Sequence, residues 1–266
     1  MTQEKINENL WYKDKCILNF CQDWDSPIYR FYTVCKLTEV FNRKKDALVR
    51  PETWDDPFEN FLFRQEAISI DGEKSISFDS IRKQLYAQCW TLNTDMEETD
   101  IFWRVYSPNK DRIRVQTTLK KLFDNFYNPT KEFAQLSYFI GKVNYKTEEQ
   151  IQTFFENPGN LNDIFYGRES GSGRSAVQTL LIKRSEFKYE NEVRLIYFAN
   201  NKLDDTTKDT YEYDLDPNEI FDELIFDPRF NEECFKAKME EFKKQNFEKH
   251  IDISKSYSAP KLNLRM

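Results

Sequence analysis

Apolar residues recur at every second position in some stretches and at every third or fourth in others, predicting strands and helices respectively. SPIYRFYTV (26–34), ALVRP (47–51), LYAQCWTL (85–92), DRIRVQTT (111–118) and LSYFIGKVNY (136–145) read as strands. So do ENEVRLIYFA (190–199), TYEYDLD (210–216), ELIFDP (223–228) and KHIDISKSY (249–257). Helical spacing marks 5–22 through Leu10, Ile17, Leu18 and Cys21, 36–46 through Leu37, Val40 and Phe41, and 95–107 through Ile101, Phe102 and Val105. Helices are also predicted at 119–128, at 147–157 behind a Thr147 cap, at 176–187 and at 231–247. ETWDDPFENFLFR (52–64) is an acidic turn entering a helix, and IDGEKSIS (70–77) a loop or small hairpin. YGRESGSGRS (166–175) holds three of the six glycines and is expected to be a mobile loop that admits a substrate or partner. Strands and helices intermix without βαβ regularity, which points to α+β.

If ENEVRLIYFA is one strand, Glu190, Glu192 and Arg194 share a face, and Val193, Leu195 and Tyr197 share the other. Two acids and a base so placed make either a solvated, ion-paired face or a paired-carboxylate site.

Composition narrows the choices. At 266 residues the chain is read as a single domain, 1–266, with a helical extension over 1–25. With 23 Phe, 14 Tyr, 5 Trp and only 6 Gly it is a packed chain, not a disordered one. The net charge of −7 argues against a duplex-wrapping protein. The opening MTQEKINENL is polar, and the five cysteines lack metal-site spacing, so free thiols in a cytoplasmic protein are expected. No apolar run is long enough to predict a membrane span. His250 is the only histidine, so a His-based triad or a His-ligated zinc site is disfavoured, and no metal site is expected. Neither GxxxxGK[ST] nor a strand-borne GxGxxG occurs. Carboxylates, arginines, hydroxyls and aromatics must then carry any chemistry.

Three further stretches qualify. Arg30 sits inside an apolar strand, where a guanidinium needs an anion, either a structural carboxylate or a ligand phosphate. WDDPFEN, with Trp54, Asp55, Asp56 and Glu59, is a structural turn and cap or an acidic site. Trp90, Trp103, Arg104, Tyr106, Ser107, Arg112 and Arg114 crowd together in sequence, as core packing or as a stacking and phosphate-binding surface for a nucleotide.

Taken in order, PIYRFYTV, RPETWDDPFENFL, QCWTLN, FWRVYSPNKDRIRV, LLIKRSEFKYENEVRLIYF and DPNEIFDELIFDPR resemble a bacterial family of unknown function. That family carries an (N/E/D)DPFE turn, a CW element, an (M/F)WxxY helix and a late ExExR strand, and the likeness spans roughly residues 27–256. Phe102 stands where many relatives have Met. The family in turn resembles the ADP-ribosyltransferase superfamily, which implies a split sheet with flanking helices and NAD bound as substrate. On that resemblance Arg30 contacts an NAD phosphate or ribose; the aromatic and arginine cluster adds Trp103, Ser107 and Arg112 as expected NAD contacts, with Arg194 as a supporting ion-pair partner. Glu192 is the catalytic glutamate, Glu190 activates the acceptor, and Tyr106 with Ser107 forms the middle motif, although Tyr-Ser-Pro is not the usual Ser-Thr-Ser.

The resemblance implies an ADP-ribosyltransferase acting on a protein, RNA or DNA acceptor, as a bacterial toxin or anti-phage effector restrained by an antitoxin-like partner. The alternatives are a non-catalytic nucleotide or nucleic-acid sensor built on the arginines, and a nuclease holding Mg²⁺ through Asp55, Asp56, Glu190 and Glu192.

Overall fold

Short strands separated by helices and 3₁₀ turns make up most of the computed structural model, which describes residues 1–20, 23–54, 56, 59, 62–68, 75–92, 100–166, 173–199 and 204–256. In chain order the strands are β1 (Ile17–Leu18), β2 (Pro27–Thr33), β3 (Lys45–Val49), β4 (Glu66–Ile68), β5 (Ser75–Ser77), β6 (Leu85–Thr91) and β7 (Arg112–Thr118). They continue as β8 (Tyr138–Lys142), β9 (Asn144–Lys146), β10 (Ile182–Arg184), β11 (Glu192–Phe198), β12 (Thr210–Asp214), β13 (Glu223–Phe226) and β14 (His250–Ile253). The class is α+β, as the mixed pattern predicts. Two compact units divide the chain: Met1–Asp23, Ala47–Thr91 and Phe123–Tyr213 form the first, and Trp24–Asp46, Leu92–Leu122 and Asp214–Met266 the second.

In the first unit the strand order is β1-β8-β11-β6. β11 runs antiparallel to both its neighbours, with Arg194 opposite Gly141 on β8 and Cys89 on β6. Both faces of β11 are covered, since Val193, Leu195, Ile196 and Tyr197 are all fully buried. Gly141 lets Leu181 pack close: a Cβ at this position would stand 2.3 Å from the Leu181 side chain, which would have to shift. A separate parallel pair, β9 and β10, sets Lys183 beside Tyr145.

In the second unit the order is β2-β7-β13-β14. Tyr29, Phe31, Phe102, Trp103 and Ile225 form one buried cluster, with Tyr106 packed against it. The helix Asp100–Tyr106 therefore turns Phe102, Trp103 and Tyr106 inward, while Ile101 and Val105 are exposed. The aromatic face, with more area to bury, wins over the aliphatic pair that the spacing suggested.

Several expected boundaries shift. The N-terminal helix is Gln3–Tyr12 and ends well before 22, because Ile17 and Leu18 pair with β8 instead. The predicted helix 176–187 is three elements: a helix Arg174–Thr179, then β10, then a 3₁₀ turn Ser185–Glu190. The Thr147 cap forms as expected, as a reciprocal capping box with Gln150. The helix entry expected after DDPFE is a 3₁₀ turn, Leu62–Arg64. Of the loop expected at 166–175, residues 167–172 lie outside the described residues, as do Cys21, Asp55, Pro57, Phe58 and 93–99. No helix among the described residues is long and apolar enough to cross a membrane.

Candidate active site

The first unit gathers charge around the start of β11. Glu192 is the first strand residue and only 4% exposed, and Arg194 is completely buried. Both lie on one face of the strand, as their spacing requires. Glu190 does not belong to that strand. It ends the 3₁₀ turn, and Asn191 follows with a positive φ of 42°, so the strand alternation cannot place Glu190. Glu190 reaches the cluster because the turn folds back, with Thr91 Oγ1 donating to its carbonyl at 2.5 Å. The solvated face considered above is excluded for Glu192 and Arg194, which are in the interior.

Buried charges need partners, and each here has several. Arg194 grips Glu192 in a fork, Nε to Oε1 at 2.9 Å and Nη2 to Oε2 at 3.0 Å. The same Nη2 donates to Glu59 Oε2 at 2.8 Å, and Nη1 donates to the Leu180 carbonyl at 2.5 Å. Its guanidinium plane lies 4.4 Å from the Trp54 ring centre. Lys183 Nζ stands 2.9 Å from Glu59, 2.6 Å from Glu190 and 3.2 Å from Glu192. An ammonium has three donors, and three carboxylates surround this one. Its neighbour Arg184 holds Asp56 bidentately, at 3.3 and 3.1 Å. Asp56 and Glu59 are thus drawn onto β10 and β11. Tyr145 Oη accepts the Glu192 backbone N–H at 2.8 Å, pinning the strand start from β9.

Three carboxylates against two cations leave one negative charge in surplus, and the outermost acid feels it. Burial raises the Glu190 carboxyl above its ordinary range, and Lys183 offsets this only in part. Burial alone would raise Glu192 too, but the Arg194 charge and hydrogen bonds, together with Lys183, hold it at about 2. Environments that push two carboxyls apart are a recurrent means of dividing acid and base roles. The Cys89 thiol, opposite Arg194, is pushed up by burial and by the Glu192 charge.

This asymmetry has a consequence for stability. The unfolded chain binds a proton near the ordinary value of 4.5, which folded Glu192 takes up only at about 2. Stability conferred by Glu192 is therefore complete above 4.5 and lost as pH falls through that window. Glu190, shifted upward, has the opposite sign and is more stabilising when protonated. Urea midpoints across about pH 2.5 to 5 should fall more steeply for wild type than for Glu192→Gln. Equal slopes would remove Glu192 as the source.

The other expected site residues lie in the second unit. Arg30, on β2, is 3.8 Å from Asp46 and stacks 4.8 Å from the Tyr32 ring, whose hydroxyl donates to Asp46 at 2.6 Å. Arg112 Nη1 donates to the Phe31 carbonyl at 3.4 Å. Tyr106 stacks on Phe31 at 5.1 Å, and Trp103 Nε1 donates to Ser254 Oγ at 3.1 Å. Ser107 is fully buried, and its carbonyl accepts from Arg229, which also binds the Trp103 carbonyl and Asp227. Glu190, Glu192 and Arg194 are thus brought together in one unit, while Arg30, Trp103, Tyr106, Ser107 and Arg112 share the other.

Lys183 and Tyr145 escaped the sequence reading. A lysine directly after the apolar run LLI was the available signal, hidden because the segment was read as a helix. Among the described residues no group of three or more His, Cys, Asp or Glu is arranged to hold a metal ion. Ammonium and guanidinium groups already bridge the carboxylates.

Comparison with known proteins adds the following. No curated protein matches the chain. Among solved structures it is similar to Thermus sp. 2.9 DarT in complex with NAD+, at 9% identity and a TM-score of 0.39, covering 89% of this chain and 99% of that one. The same protein in complex with ADP-ribosylated ssDNA matches at 8% identity and a TM-score of 0.39, over 91% and 100% of the two chains. Residues 102–195, from Phe102 in the helix Asp100–Tyr106 to Leu195 on β11, match the family described as Protein of unknown function (DUF2971).

Proposed function

We propose that the chain is an NAD-dependent ADP-ribosyltransferase that modifies a macromolecule. The observation that carries this reading is the pair of neighbouring carboxylates, Glu192 locked by Arg194 at the strand start and Glu190 held by Lys183 on the turn before it. In the reaction the bond between ribose C1′ and the nicotinamide nitrogen breaks, and nicotinamide leaves with the electron pair. The sugar carbon becomes cationic. A fixed carboxylate next to it stabilises that charge without reorganising, which is the role of Glu192. The acceptor oxygen or nitrogen then bonds to C1′ and gives its proton to Glu190, whose raised affinity suits a base. Arg194 supports Glu192 through its fork of hydrogen bonds. The setting of a toxin or anti-phage effector held by a partner follows from the sequence resemblance.

One observation favours a second reading. Arg194 is wholly buried and saturated by Glu192, Glu59 and Leu180, as a structural ion cluster would be. Incubation with NAD labelled in the adenylate half, with and without cell lysate, separates the two. The expected result is nicotinamide release without added metal, and label on the protein or nucleic-acid fraction. Absence of both would leave the structural cluster.

A further inference from the structure

We propose that Lys183 is a positioning residue that fixes the spacing of Glu190 and Glu192 and decides which carboxylate carries the acceptor's proton. This rests on the function proposed above, and it arises from geometry. Glu192 is fixed by its strand, by Arg194 and by Tyr145, so it needs no further restraint. Glu190 ends a 3₁₀ turn and follows no strand register, and the Lys183 ammonium stands 2.6 Å from its carboxylate. Lys183 itself is anchored from behind by Glu59 at 2.9 Å and by the β9–β10 pairing, which sets it beside Tyr145. It is 7% exposed, so its three contacts are made with little competition from water. One ammonium therefore ties the acid on the turn to the acid on the strand.

The charged and titratable groups facing Glu190 are Lys183 on β10, Glu192 on β11, Glu59 in the DPFE turn, Tyr189 in its own turn and Tyr145 on β9. Lys183 alone among these favours the ionised form by both charge and hydrogen bond. Without it, Glu190 would hold its proton to higher pH, and a smaller share of it would be ionised to accept another.

The test is a carboxyl titration of Glu190 by ¹³C NMR in wild type, Lys183→Arg and Lys183→Gln. The double variant Lys183→Gln with Glu59→Gln is included because it removes one acid with the base and leaves the surplus charge unchanged. The Glu190 midpoint should rise by about one pH unit or more in both Gln variants, the usual scale for loss of an adjacent opposite charge. Lys183→Arg should return it most of the way. The lower limb of the transfer-rate pH profile should move up by the same amount, with NAD hydrolysis less affected. An unchanged Glu190 midpoint in the folded double variant would overturn the proposal. If the wild type releases no nicotinamide, the proposed function falls, and the titration still decides whether Lys183 controls Glu190.

Discussion

Glu192→Gln is expected to lower both nicotinamide release and macromolecular labelling by roughly 100-fold or more, the scale for removing one preorganised electrostatic contact from a transition state. The amide keeps the shape and one oxygen, and Arg194 keeps Glu59 and the Leu180 carbonyl, so the fold should survive. Glu190→Gln should act differently, suppressing transfer while sparing more of the slow hydrolysis. The two reactions are followed side by side on folded protein. Wild-type rates from Glu192→Gln would return the cluster to a structural role and withdraw the enzymatic reading.

Arg194→Met should cost about 3–5 kcal/mol of stability, the range for removing one partner from a buried ion pair. Glu192 would lose its fork and Glu59 its guanidinium, leaving Lys183 alone among three buried or half-buried carboxylates. Replacing Arg194 and Glu192 together by Met and Leu removes the stranded charge and should recover a large part of the loss. Urea unfolding of the two variants decides this. Additive losses would mean that Arg194 acts through packing, by its stacking on Trp54, and not through its charge.

Much of the architecture was legible because strand and helix periods are local. The alternation in RIRVQTT and the short aromatic-rich apolar runs PIYRFYT and LYAQCWT were enough to find β7, β2 and β6. The pairing of Glu192 with Arg194 could also be read from spacing, since both belong to one regular strand. Glu190 could not be placed that way: the left-handed Asn191 breaks the alternation, and no period survives such a break. Lys183 was lost with the misread segment 176–187, where helical and strand patterns coexist over too few residues to separate. The recruitment of Glu59 depends on contacts 135 residues apart in sequence, which no local pattern encodes.

β11 is hydrogen-bonded along both edges and covered on both faces, whereas Glu190 hangs from a short turn beside it. Such a strand opens only when the sheet around it opens, while a 3₁₀ turn frays by itself. The two acids therefore keep different clocks. Amides of β11 should exchange with deuterium only on the slow, global timescale of the first unit, and those of Ser185–Glu190 much sooner. The position of the Glu192 carboxylate thus depends on the sheet, and that of Glu190 on the Lys183 tether.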